Sequence, residues 1–76
     1  MTDKKKVDVT IDGRNFTVVG SESEDYIKKI AQYVDNTIKN VFHNNMRLSN
    51  HMAAILAAFN IADEYCKVNQ KLKSLE

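Results

Sequence analysis

The sequence predicts an α+β protein that is mostly α: an N-terminal β-hairpin, one medium helix and one long C-terminal coiled-coil helix. Three observations indicate this fold. Apolar and polar residues alternate over residues 7–11, directly before an Asp-Gly pair. An apolar stripe with helical period then runs to about Phe42. A heptad-like seam begins at Ala54 and continues to the end of the chain.

The hairpin is predicted by the alternation and by its turn. Asp12-Gly13 is a strong signal for a two-residue type I′ turn, which needs a positive φ at both central positions. The second strand is expected over residues 14–19. This turn fixes the register and gives the hairpin one apolar and one polar side, with the expected pairs Ile11–Arg14, Val9–Phe16, Val7–Val18, Thr10–Asn15 and Asp8–Thr17. Since a lone hairpin is barely stable in water, its apolar side should lie on helices.

Helix 1 begins with a capping-box pattern. Ser21 is the candidate N-cap and Glu24 the residue that reaches back to it. The helix is expected to end near Phe42, before the Asn44-Asn45 pair. Its apolar stripe consists of Ile27, Ile30, Val34, Ile38 and Val41.

Helix 2 has two apolar stripes. Ser49 or Asn50 can cap it, and no proline interrupts it up to Glu76. The first stripe, the candidate oligomer interface, steps by four and three residues through Ala54, Ala58, Ile61, Tyr65, Val68, Leu72 and Leu75. The second contains Met52, Ile55, Phe59, Ala62 and Cys66, with Leu48 and Leu56 beside it. We expect one stripe to pack on helix 1 and the hairpin, and the other on a second chain.

Size supports self-association. A chain of 76 residues buries too little surface for a large core, and its single cysteine excludes an internal disulfide. Oligomerisation is therefore the expected source of stability. The predicted organisation is a disordered tail over residues 1–6, a globular head over residues 7–48, and a long helix over residues 49–76 that supplies head core and then a dimerisation seam.

Composition argues against several classes of function. The net charge of +1 provides no strong field for nucleic acid or anionic lipid, and no apolar run is long enough to span a membrane. The histidines and Cys66 have no metal-ligand spacing, and Cys66 is expected to be a buried, inert thiol. We expect no catalytic residues, metal, cofactor or small-molecule substrate.

Residues 7–16, Tyr26-Ile27, residues 31–35 and above all the stretch from Ile55 to Glu64 resemble the ZapA family of cell division proteins. The resemblance covers about residues 7–70. The chain departs from the family at Phe59, where leucine is common, and it stops at Glu76 within a heptad, where family members usually continue.

The resemblance implies a cytoplasmic protein at the mid-cell division site. Family members form dimers through the head and tetramers through the coiled coil, bind FtsZ, bundle its filaments and promote Z-ring assembly. Arg14 and Arg47 match basic family positions, and the position that Arg14 matches is one that the family uses at the filament-binding face, so the resemblance implies that both contact FtsZ.

Two alternatives remain at the level of sequence. One is a coiled-coil adaptor for another partner, because periodicity alone indicates only self-association. The other is a DNA-binding dimer that inserts its hairpin as a β-ribbon, which the near-neutral charge and the polar hairpin face of Asp8, Thr10, Asn15 and Thr17 disfavour.

Overall fold

The computed structural model describes residues 4–74 and confirms the predicted fold class. Two antiparallel strands precede two helices. The elements are β1 (Lys5–Ile11), β2 (Arg14–Gly20), α1 (Glu24–Asn44) and α2 (Asn50–Ser74).

The hairpin has the register that its turn predicted. Ile11 is opposite Arg14, and the pairing continues without a bulge to Lys5 opposite Gly20. Asp12 and Gly13 have φ values of 56° and 73°, as a type I′ turn requires. Strand β1 begins at Lys5, because Lys5 and Lys6 pair with Gly20 and Val19 of β2. The prediction of a disordered tail over residues 1–6 is therefore wrong for Lys5 and Lys6. Residues 1–3 lie outside the described part of the chain.

The N-cap of α1 is Ser23 rather than the predicted Ser21. The Ser23 hydroxyl accepts a hydrogen bond from the Tyr26 backbone N–H at 3.2 Å, and Ser23 itself has extended φ and ψ angles. Both serines lie just before the apolar period, and the capping-box pattern favours Ser21 because Glu24 lies three residues after it. At its other end the helix continues past Phe42 to Asn44, where Asn45 is the C-cap.

The start of α2 agrees with the expected cap. Ser49 Oγ accepts from the Met52 backbone N–H at 3.2 Å, and the helix begins at Asn50. It continues to Ser74, with the Asp63–Lys67 ion pair at 2.9 Å on its surface. Leu75, the last residue of the predicted seam, lies outside the described residues.

The core is small and consists of two clusters. Val7 and Val9 of β1 pack with Ile27 and Ala31 of α1. Farther along α1, Ile38 and Val41 pack with Ala53 and Ala57 of α2, and Ile11 contacts both clusters. Neither cluster includes β2, so α1 lies over one strand of the hairpin and leaves the other uncovered.

Candidate self-association interface

An open apolar surface crosses β2, α1 and α2. Between β2 and the first half of α1 is a groove of about 280 Å³ whose lining is almost entirely apolar and includes Val18, Tyr26, Ile30 and Val34. Between α1 and α2 is a second apolar groove of about 540 Å³. Both contain Val34, so the surface is continuous. The second groove is lined by Val34, Ile38, Ala54, Ala57, Ala58, Ile61, Ala62 and Tyr65.

Several large apolar side chains on or beside this surface are exposed in the single chain. Phe16 of β2 is 47% exposed, and Ile30, which the sequence placed in the buried stripe of α1, is 49% exposed. The expectation that helices cover the apolar side of the hairpin holds for Val7 and Val9 of β1 but is wrong for Phe16 and Val18 of β2. A contiguous apolar patch across three elements is typical of a protein–protein interface.

The face of α2 that packs on its own chain belongs to neither predicted stripe. Ala53 and Ala57 are 0% and 1% exposed, and they contact α1. At about 100° per residue, these alanines lie about 80° from the centre of the first stripe and about 160° from the centre of the second. Small residues at this point let the two helices approach closely. The prediction that one stripe packs on helix 1 is therefore wrong, and α2 has three apolar faces in its first half.

We call the first stripe the seam face. Its described members are Ala54, Ala58, Ile61, Tyr65, Val68 and Leu72. Ile61 is half-buried at the edge of the second groove, whereas Tyr65 is 69% exposed. The rest of the seam face is exposed along α2. It therefore adjoins the open surface of the head and extends that surface along the helix.

The second stripe was one of the two that were expected to pack either on helix 1 and the hairpin or on a second chain. Its side chains are exposed in the single chain. Met52, Ile55, Leu56 and Phe59 form what we call the outer patch, and Phe59 is 69% exposed. Cys66, at the end of the same stripe, is also exposed, so the prediction of a buried thiol is wrong for this chain. The outer patch lies about 150° around α2 from the seam face, so the two can serve different contacts.

The candidate partner-binding arginines both lie at the surface. Arg14 follows the hairpin turn and lines a groove of about 280 Å³ with Phe16 and His51. Arg47 lies in the loop between the helices, where its backbone N–H donates to Asn45 Oδ1 at 3.2 Å. Within residues 4–74 neither guanidinium is in an ion pair, so both are available to an acidic surface.

A carboxylate that the sequence did not single out fixes the turn that carries Arg14. Asp35 of α1 accepts a hydrogen bond from the Asp12 backbone N–H at 2.8 Å through Oδ1, and its Oδ2 lies 2.9 Å from Lys39 Nζ. The hydrogen bond from Lys39, and then that from Asp12, lower the pKa of the Asp35 carboxyl below its ordinary value. No local pattern predicts this contact, because it joins residues far apart in the chain.

A polar groove lies between the helices and is lined in part by Asn36, Asn40, Asn60 and Lys67. Across it the Tyr33 hydroxyl donates to Glu64, and this hydrogen bond raises the pKa of Tyr33. Among residues 4–74 no group of three or more His, Cys, Asp or Glu side chains is placed to hold a metal ion. In the same residues neither helix is long and apolar enough to cross a membrane.

Comparisons with known proteins agree on one family. The family model described as Cell division protein ZapA matches residues 7–76. Cell division protein ZapA of Bacillus subtilis (strain 168) is 35% identical over 78 residues, covering 100% of this chain and 92% of that protein. Its counterpart in Geobacillus thermodenitrificans (strain NG80-2) is 38% identical over 77 residues, covering 99% and 85%. The solved ZapA mutant dimer from Geobacillus stearothermophilus matches with a TM-score of 0.81 at 32% identity, covering 99% and 87%.

Proposed function

The chain belongs to the ZapA family of cell division proteins, and we propose from this premise that it binds FtsZ filaments, cross-links and bundles them, and promotes Z-ring assembly. The proposed role is non-enzymatic and is carried out in the cytoplasm at mid-cell. Cross-linking needs at least two filament-binding sites in one particle, and self-association of a small chain supplies them.

The observation that carries this proposal is the continuous apolar surface across β2, α1 and the seam face of α2. Its grooves of about 280 and 540 Å³ are open in the single chain, and they share Val34. A second copy would remove Phe16, Ile30 and Tyr65 from water, which favours a dimer at about 25 cal/mol per Å² of apolar surface buried. The solved Geobacillus stearothermophilus relative is described as a dimer.

The outer patch supports a further step of assembly. Because the seam face and the outer patch point in different directions, a dimer formed through the first still exposes Met52, Ile55, Leu56 and Phe59 of each chain. We propose that two dimers associate through these patches into a tetramer. Each particle would then present filament-binding surfaces at more than one position.

Arg14 and Arg47 are the proposed contacts to FtsZ. Both are exposed, and Asp35 holds the turn beside Arg14 in place through the Asp12 N–H. Because the turn beside Arg14 is held in place, its backbone loses little freedom when the guanidinium binds a carboxylate surface.

Co-sedimentation with FtsZ polymers tests the proposed function. FtsZ is polymerised with GTP, and pelleting and light scattering are measured with the wild-type chain, with Arg14→Ala, and with Lys29→Ala as the control that removes an exposed positive charge elsewhere. The wild type and Lys29→Ala should pellet with FtsZ and increase scattering, and Arg14→Ala should do so less. Absence of wild-type pelleting and bundling would contradict the role and leave the adaptor alternative.

A further inference from the structure

The two edges of the hairpin are not equivalent. On the β1 side, Lys28, Gln32 and Asp35 of α1 form a shallow groove with Asp8 and Thr10, so the helix leans toward this edge. On the β2 side, every residue from Arg14 to Val19 is exposed and only Gly20 is half-buried. Of the two edges of the hairpin, β2 is therefore the more open.

The register shows which backbone groups face outward from β2. A two-residue turn is closed by a hydrogen-bonded pair, here Ile11 and Arg14, and such pairs alternate with pairs that do not exchange hydrogen bonds. The N–H and C=O groups of Asn15, Thr17 and Val19 consequently point away from β1. Within residues 4–74 no further backbone hydrogen bond reaches them. An edge of this kind is a template for another strand.

Charge distinguishes the two edges as well. The outward-facing residues of β1 include Lys6 and Asp8, and charged side chains on an edge oppose pairing with another strand. From Asn15 to Gly20, β2 carries no charge. Val18 and Val19 are both exposed, so this end of the strand is apolar on both of its faces.

Self-pairing of β2 brings no like charges together and pairs an aromatic with a β-branched side chain. In an antiparallel pair with its two-fold axis at Thr17, Thr17 is opposite its own copy, Asn15 is opposite Val19, and Phe16 is opposite Val18. Arg14 is opposite Gly20, so no like charges meet. A similar pairing of β1 about Asp8 would bring two carboxylates together.

We propose that β2 of one chain pairs with β2 of a second copy, forming a four-stranded sheet in the order β1-β2-β2-β1 across the dimer. This inference rests on the proposed self-association and assigns it a backbone contact in the head. About six backbone hydrogen bonds would join the strands, two for each outward-facing pair. The side chains of Phe16 and Val18 of both copies would then form one apolar strip on the helix side of the sheet, where Val18 lines a groove with Tyr26 and Ile30.

Hydrogen exchange of single amides tests the pairing, with a control inside the same molecule. The outward amides of β2 belong to Asn15, Thr17 and Val19, and the matched outward amides of β1 to Lys6, Asp8 and Thr10. At a concentration where sedimentation gives a dimeric mass, the protection factors of the β2 group should exceed those of the β1 group by at least about tenfold. Dilution to the monomer should abolish the difference.

A cross-linking pair tests the position of the two-fold axis. Thr17 and Thr10 are both on the polar face of the hairpin, and each hydroxyl donates to the opposite strand, to Asp8 Oδ1 at 2.8 Å and to Asn15 Oδ1 at 2.9 Å. They differ in the edge they occupy. In a Cys66→Ser background, Thr17→Cys should give a covalent dimer under mild oxidation, because directly opposed residues lie within disulfide reach at a Cα separation of about 5.5 Å. Thr10→Cys should not.

The outcomes separate this inference from the proposed function. A monomeric mass at all concentrations would contradict self-association itself, and strand pairing with it. A dimeric mass with equal protection on both edges, or with equal cross-linking of Thr17→Cys and Thr10→Cys, would overturn the strand pairing and leave the dimer in place. A dimeric mass with protection and cross-linking confined to β2 supports both.

Discussion

At the scale of single residues, small side chains and one carboxylate decide how the elements meet. Ala53 and Ala57 are the most buried residues of α2, and no larger side chain fits between α2 and α1 without separating the helices. Asp35 joins α1 to the hairpin turn through a backbone N–H. Residues that appear ordinary in the sequence thus set the relative positions of the elements.

Ala57→Leu should destabilise the fold by about 1–3 kcal/mol, because the added atoms overpack a closed contact between two helices. Gln70→Leu, which places a leucine at an exposed position of the same helix outside both apolar grooves, should change the free energy of unfolding by less than about 0.5 kcal/mol. Urea unfolding at one fixed protein concentration measures both. Equal effects of the two substitutions would contradict the assignment of Ala57 to the helix contact.

Asp35 predicts a pH dependence. The pKa of its carboxyl is lower in the folded chain than in the unfolded one, so its contribution to stability is complete above the unfolded pKa and is lost as the pH falls through the folded pKa. Asp35→Ala should lower the urea midpoint at neutral pH. The difference from wild type should shrink as the solution is acidified below the ordinary range of an aspartate. A difference that is constant from neutral to acid pH would contradict the role of the ionised carboxylate.

At the scale of elements, the hairpin and α2 show which structural features the sequence predicts and which it does not. The sequence predicts the register of the hairpin for each expected residue pair, because Asp12-Gly13 fixes the turn and strict alternation fixes which face is apolar. The faces of α2 were predicted incompletely. The sequence predicted two apolar stripes, but the face that contacts α1 is a third one, that of Ala53 and Ala57. How closely two helices approach depends on tertiary packing, which the period of one helix does not record.

Phe59→Gln should separate the two proposed levels of assembly. The side chain is 69% exposed at the outer patch, so the substitution should leave the dimer intact and prevent its association into a tetramer. Sedimentation velocity over a range of concentrations measures this. Gln70→Ala, at an exposed polar position of the same helix, is the control and should behave like wild type. A tetramer of unchanged stability in Phe59→Gln would show that the outer patch does not join dimers.

At the scale of the whole molecule, the chain is flat, with principal extents of 46 × 41 × 15 Å. A body this thin has few places to bury side chains, and its two clusters account for the buried apolar residues among those described. The apolar surface that remains lies on β2, on α1 and along α2. Self-association is therefore the central claim for this chain, and the filament cross-linking proposed for it depends on that step.

The native mass of wild type and Tyr65→Glu, measured by sedimentation equilibrium, tests this claim most directly. Tyr65 is 69% exposed in the single chain, so a charge there does not disturb the protomer, whereas in a dimer it would be buried at the seam face. Ile61→Glu is a less specific test, because Ile61 is half-buried within its own chain and a charge there would also destabilise the protomer. Gln70→Glu adds the same charge outside the seam face and is the matched control.

We predict that wild type and Gln70→Glu sediment as a dimer or a larger species, and that Tyr65→Glu sediments as a folded monomer with a helical circular dichroism spectrum. A wild-type chain that stays monomeric at high concentration, or a Tyr65→Glu variant with the mass of the wild type, would contradict the account.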